Sequence, residues 1–442
     1  MSQAPAAAPK PAEPEKPRTV WDRVVTSTPI ILTVIATVLA GKSAGEMTQA
    51  QYHRAVAAQY QSKVSDQWNF FQAKRIRGTD MEGTAILLRS STGAGKLSPD
   101  SLKASAKRLS EYFKRAEKEA DALVKVVGAA GSATDVTAPA ERFRGETKKA
   151  LAASVKVVEK LDALAKESPN SPLSYLAEGK VPERAQLASD QRDELTKALE
   201  AIKPDVRKSL SYFDAGLLKT LYDLNPAIPE AVWEVNERKT ERQMDDTLPK
   251  INEEQIHKAI EDAEEAARQF EAACAPITGA FRDLDKLIVD QTGAARAVYR
   301  ASQEVSLAAG PLSGGDSKLN ELHQAAQAAE RAGLILKAAA DELGNDFKAA
   351  QLVYDSRRYD REARDNQAVA GLYELDVRKA SLESDRHRER STHLFYAMLA
   401  AQAGVTIATF SLAVRYRSVL WGLAALAGLG ALGIGAFVLL TR

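Results

Sequence analysis

One cysteine, Cys274, stands in 442 residues, which excludes an intrachain disulfide framework and any paired-cysteine metal or redox motif. Neither sign of charge is in excess: 60 Lys and Arg face 59 Asp and Glu. The global bias that marks a nucleic-acid binder is therefore missing, and no nucleic-acid partner is expected. Period-two alternation, the signature of half-buried strands, hardly occurs between residues 46 and 390, whereas helical spacing is everywhere. The expected fold class is all-α.

Catalytic patterns are also lacking. The stretch "STGAGKLS" at 91–98 approaches a phosphate loop, but Ser90 stands where a Walker A pattern needs its first glycine and Leu97 where it needs Ser or Thr. It reads as a flexible linker. The five histidines are scattered; His387 and His393 are the closest pair, and their spacing puts them on opposed helical faces, so no shared metal is suggested. Acidic residues are abundant, yet on charged helices they solubilise. No catalytic, cofactor-binding or metal-binding residue is assigned, and no cofactor is expected.

What is present is a sharp division of polarity. Three windows, Val24–Gly41, Ser391–Val414 and Ser418–Thr441, contain no Asp, Glu, Lys or Arg. A bilayer core about 30 Å thick needs about 20 apolar residues at 1.5 Å each. The sequence thus predicts transmembrane helices over 21–42, 393–414 and 418–440, with a lipid bilayer as partner. The last two are separated by "RYR", Arg415–Arg417, and read as a tight hairpin. Ala400, Gly404 and Ala408 recur every four residues in one helix, and Ala427, Ala431 and Gly435 in the other, a spacing that lets backbones approach closely. Basic "DRHRER" at 385–390 reads as solvated juxtamembrane charge. The first window is either a retained anchor or a signal peptide ending at Ala40. Residues 1–20, with five prolines from Pro5 to Pro17, read as a disordered tail.

Between the spans, Ser98-Pro99-Asp100 predicts a helix start reaching about Gly128. Pro139, Pro182 and Pro229 suit first turns, while Pro204, Pro249 and Pro276 are expected to end or kink helices. "AGPLSGGDSK" at 309–318 reads as a loop, followed by a helix weakened at Gly344. Residues 98–345 form a helical insert carried between an outgoing helix, 46–78, and a returning one, 350–391. On the first, Val56, Tyr60, Val64, Trp68 and Phe71 make a stripe; on the second, so do Tyr359, Ala363, Ala370 and Tyr373 with Leu352, Ser356, Asn366, Val377, Ala380 and Ser384. The pair reads as an antiparallel, coiled-coil-like stalk about 45 Å long. Counting from the membrane, Val64 faces Ala370 and Trp68 faces Asn366, with small Ala363 and Ala370 leaving room for the indole. The rival reading is a basic helix lying flat on anionic lipid, using Arg54, Lys63, Lys74, Arg75 and Arg77.

The stretch "SDQWNFFQAKRIR", with Asp66, Gln67, Trp68, Phe70, Phe71, Gln72, Ala73 and Lys74, resembles an uncharacterised family of small bacterial membrane proteins, a domain of unknown function with an apolar helix just upstream and a paired terminal span. The resemblance covers about residues 20–90 and 350–442. It implies that the first segment is retained as a span and implies no activity.

Three function classes follow. The first is a membrane-anchored helical scaffold or interaction protein, with a homo-oligomer or a protein partner joined through the insert. The second is a sensor whose insert binds a ligand, and the third an enzyme with a site in the insert; the chain is read as more like a non-enzyme. Lys16, Arg18, Arg23 and the turn arginines favour a cytoplasmic N-terminus in a cell inner membrane and an exported insert, although Arg378, Lys379, Arg386, Arg388 and Arg390 oppose this.

Overall fold

The computed structural model describes residues 20–92, 98–130, 135–166, 171–182, 189–312, 317–414 and 417–440. The expected disordered tail, most of the 91–98 loop, residues 313–316 and the Arg415–Tyr416 turn lie outside these; Pro182, expected in a helix's first turn, belongs to no helix, and residues 183–188 after it lie outside the described residues. The described residues form eleven α-helices and no strand: α1 (Val20–Thr92), α2 (Pro99–Ala129), α3 (Thr137–Ala165), α4 (Pro172–Glu178), α5 (Ser189–Ala201), α6 (Pro204–Ser209), α7 (Ala215–Leu224), α8 (Ala227–Asn236), α9 (Glu253–Ala309), α10 (Ser317–Ala413) and α11 (Arg417–Leu440). The fold is all-α. Three of the helices, α1, α10 and α11, are long and apolar enough to cross a membrane.

Two compact units divide the chain. One comprises residues up to Ser62 together with Lys239–Asp246 and Glu374–Arg442; the other comprises Lys63–Arg238 and Thr247–Tyr373. Helices α1 and α10 contribute to both.

In the first unit the three apolar helices pack through small side chains. Ala36, Leu39, Leu394, Ala397, Ala401, Ala431 and Val438 form one buried cluster, and Leu32, Ala408 and Ala424 a second. Ile30, Ile31, Val34, Val38, Leu399, Phe410, Leu426 and Leu429 stay exposed, an apolar surface suited to hydrocarbon rather than water. At the edge of this bundle α1 and α10 run antiparallel, and the hydroxyls of Ser43 and Ser391 each donate to the other residue's carbonyl at 2.9 Å. Further on, Ser384 donates to the Ala50 carbonyl at 2.9 Å, seven residues along each helix, so the pairing register holds constant. The segment 239–246 is fastened to α10 by Arg378 to Glu241 at 2.7 Å and Arg386 to Asp245 at 2.6 Å.

In the second unit, α2, α3, the later half of α9 and the early part of α10 share one apolar core, closed by Leu173 and Leu176 of α4. Phe113, Phe143, Phe281, Phe347 and Tyr354 are all fully buried there. Each large side chain removed from water contributes about 1.5 to 3 kcal/mol. Helix α2 starts as its sequence dictates: the Ser98 hydroxyl accepts from the Ser101 N–H at 3.0 Å and the Ser101 hydroxyl accepts from the Ser98 N–H at 2.8 Å, with Pro99 at the first position. Pro139 and Pro229 lie in the first turns of α3 and α8, and Pro204 separates α5 from α6. Pro276 does not end its helix: α9 continues through it to Ala309. Its neighbours Cys274 and Ile277 are buried against the unit, and packing along 57 residues outweighs one missing backbone hydrogen bond. Gly344 likewise interrupts nothing; α10 runs on, and an added Cβ there would rest in ordinary contact with Thr292 and Ile288 of α9.

Candidate functional site

The aromatic stretch of α1 faces α10 within the second unit. Gly78 fixes the pairing: a Cβ there would come 3.3 Å from the Ser356 carbonyl and 3.5 Å from Tyr359, so the two backbones meet where α1 has no side chain. Lys74 reaches Glu362 at 3.0 Å, and Lys63 lies over the Tyr373 ring at 5.1 Å. Val64 is buried, Tyr60 and Trp68 are half-buried, and Trp68 stands edge-on to Phe71 with centroids 5.3 Å apart. On α10, Ala363, Ala370 and Tyr373 are buried and Tyr359 is half-buried under the Arg358 guanidinium at 4.7 Å.

Beside this pairing opens a cleft of about 320 Å³. Phe71 and Arg75 line it from α1, Asp360, Ala363, Arg364 and Gln367 from α10, and Ser211 and Tyr212 from the connection after α6. Arg75 lies over the Phe71 ring at 5.7 Å, whereas Arg364 is held by Asp360 at 2.8 Å. The Tyr212 hydroxyl accepts from Asn236 at 3.0 Å. Two guanidiniums, one carboxylate and two aromatic rings suit a ligand that carries negative charge next to a flat apolar surface.

Beneath the cleft, α10 carries a ladder of half-buried ions. Arg358 lies 3.7 Å from Asp355 and 3.6 Å from Glu362 and donates to the Thr278 hydroxyl at 3.2 Å. Arg361 reaches Asp214 at 3.1 Å and Asp365 at 3.3 Å, while Asp214 caps α7 by accepting from the Gly216 N–H at 2.8 Å. Burial pushes the Asp355 carboxyl up despite the opposing pull of Arg358 and Lys348. Burial works against the Arg358 charge too, but Asp355 and Glu362 outweigh it and hold the guanidinium protonated. Burial, with the neighbouring Cys274, raises the Tyr354 phenol far above its ordinary range, and burial raises the Cys274 thiol. Both groups are neutral, inert parts of the core.

In the first unit the structure assembles a group that sequence spacing missed. His387 does not face His393; it stacks on His53, with rings nearly parallel and centroids 5.5 Å apart. His387 Nδ1 lies 2.6 Å from Glu46 and His53 Nδ1 lies 3.3 Å from Glu383. Lys379 is 3.7 Å from Glu383. The serine register would have exposed this, since it places Glu46 opposite residue 388.

All six small residues of the spans fall in the three-helix bundle. A Cβ on Gly404 would come 3.2 Å from the Ala424 carbonyl and 3.4 Å from Ala427, and one on Gly435 would press on Leu39. Ala408 and Ala431 are fully buried, and Ala400 packs against the cluster. Trp421 donates to the Thr28 hydroxyl at 2.9 Å and meets Trp21 edge-on at 5.1 Å.

Residues 21–169 match a family described as a domain of unknown function (DUF4337). The match covers about a third of the chain, from the start of α1 through α3, so it takes in the aromatic stretch and part of the insert and leaves out residues 350–442. No curated protein and no solved structure matches the chain.

Proposed function

We propose that this protein is a membrane-anchored helical scaffold that presents its cleft to a protein partner. The observation that carries the reading is continuity: α1 and α10 each run without a break from an apolar, small-residue-packed bundle into a helical unit with its own aromatic core. The antiparallel α1–α10 pairs serve as the stalk, supported by the serine and Gly78 registers. The basic residues named for a flat lipid-bound helix favour the stalk too, because Lys63 and Lys74 are engaged with α10.

The cleft supports a second reading, a sensor whose helical unit takes an anionic, partly aromatic ligand between Arg75 and Tyr212. Co-purification of the intact chain in mild detergent separates the two. A defined protein that is retained by the native chain and lost with Tyr212→Ala and Arg75→Glu supports the scaffold. Saturable binding of a small molecule with no protein partner transfers the argument to the sensor.

The N-terminus is placed in the cytoplasm of a bacterial inner membrane, with the helical unit exported, on the strength of Lys16, Arg18, Arg23 and the 415–417 arginines. A cysteine introduced between residues 313 and 316, in a Cys274→Ser background, should react with impermeant maleimide in spheroplasts. Labelling only after lysis reverses the orientation.

A further inference from the structure

Threonine recurs in the apolar segments, and most of these hydroxyls are satisfied within their own helix. Thr28 and Thr33 of α1 donate to Val24 and Pro29 at 2.8 Å, Thr37 to Thr33 at 2.9 Å, and Thr406 and Thr409 of α10 to Gln402 and Val405 at 3.1 and 2.8 Å. Gln402 has no such recourse. Its side chain is exposed, and its carboxamide has no hydrogen-bond partner among the described residues.

Its depth makes this costly. The charge-free window of α10 runs from Ser391 to Val414, so Gln402 lies about 16 Å from the Ser391 end of a core about 30 Å thick. Hydrocarbon offers neither donor nor acceptor there.

The face around it has a pattern of its own. The side of α10 that packs on α1 and α11 uses Leu394, Ala397, Ala401, Gly404 and Ala408, all buried. A different side presents Phe395, Leu399, Gln402, Thr406, Thr409 and Ala413, all exposed. Their spacing of four, three, four, three and four is the seam of a left-handed helix pair, with the one polar amide at its middle.

We propose that this second seam is a homodimer interface, in which α10 of one copy packs on α10 of another and the two Gln402 carboxamides hydrogen-bond across a two-fold axis. A second copy is the partner that fits best. A carboxamide is donor and acceptor in one group, so it is complementary to itself. Two copies inserted in the same direction carry Gln402 at the same depth, so that complementarity needs no adjustment. The seam is likewise the same surface on both sides, as an isologous contact requires. The inference rests on the reading of residues 391–414 as a span, and it places association in the membrane rather than in the helical insert.

The test uses the full chain in native membranes, in a Cys274→Ser background, with single cysteines at Leu399 or Thr406 and, for comparison, at Ala401 or Ala408 on the covered face. Oxidation should give a species of twice the chain mass from the first two positions and not from the second two. Adding Gln402→Leu to the Thr406→Cys chain should lower dimer yield about five- to tenfold at limiting chain density, and Gln402→Asn should retain part of it. Dimer yield indifferent to Gln402→Leu, crosslinks to a different protein, or crosslinks from the covered face would overturn the proposal. Alkaline carbonate extraction keeps its failure distinct from that of the anchor: release from membranes defeats the span reading itself, while retention without dimer defeats this inference alone.

Discussion

The apolar bundle of the first unit and the helical core of the second are both built from long helices and both bury alanine, yet only the core adds fully buried aromatic rings. The bundle is joined by alanine and glycine, with Gly404 pressed to the Ala424 carbonyl and Ala397, Ala401 and Ala431 fully buried. The core is joined by Phe113, Phe143, Phe281, Phe347 and Tyr354 with buried leucines and valines around them. In water, a helix pair gains by removing apolar area from solvent, so large side chains win. In lipid that gain vanishes, and what remains is close backbone approach and the occasional interhelical hydrogen bond. The same contrast explains why exposed large apolar residues are concentrated in the apolar helices of the first unit and fewer in the second.

If that account is right, truncation should hurt the second unit most. Phe281→Ala, which also removes the edge-on contact with Tyr354 at 4.9 Å, is expected to cost about 3 to 5 kcal/mol, read by thermal or denaturant unfolding in detergent. The bundle should be vulnerable in the reverse direction. Gly404→Leu drives a side chain into α11 and should cost about 1 to 3 kcal/mol, whereas the same change at outward Gly430, where an added Cβ meets nothing, should be nearly silent. Equal effects at 404 and 430 would remove the close-packing argument.

A smaller effect concerns the strap over 239–246. Burial pushes the Glu241 carboxyl up, but a backbone N–H bond and Arg378 outweigh it and hold it below its ordinary value. A carboxyl depressed in the folded state contributes stability that is present above its unfolded pKa and is lost as pH falls through the folded one. Glu241→Gln should therefore weaken the native fold by about 1 kcal/mol at neutral pH, with the gap between native and variant closing below about pH 4. A gap that persists in acid would mean the carboxylate is not its source. Smallest of all, Trp421→Phe should cost about 0.6 kcal/mol, the usual worth of one interhelical hydrogen bond in a membrane bundle, here the bond to Thr28.

How much of this was legible in the sequence depends on whether the cause is local. The three apolar helices could be read because a run of 24 residues without a charge is a purely local signal. Within α1, Trp68 was legible as the aromatic centre, but its edge-on contact with Phe71 and the cleft beside it were not, since Tyr212 arrives from a connection more than a hundred residues away. Pro276 does not end its helix, because there a local rule is set against the packing of a whole helix. His53 and His387 carry no motif at all; only the register of two helices brings them together.

The reciprocal bonds of Ser43 and Ser391 act as a detent. Each hydroxyl grips the opposite backbone, so sliding either helix by a single residue breaks both bonds at once. A slip of one full turn would bring Ser43 against His387 or Phe395, neither of which can return the same grip. The two helices can therefore rest in one axial setting, and the other pairings between them, from Ser384 with Ala50 to His387 with Glu46, are read off from that zero mark.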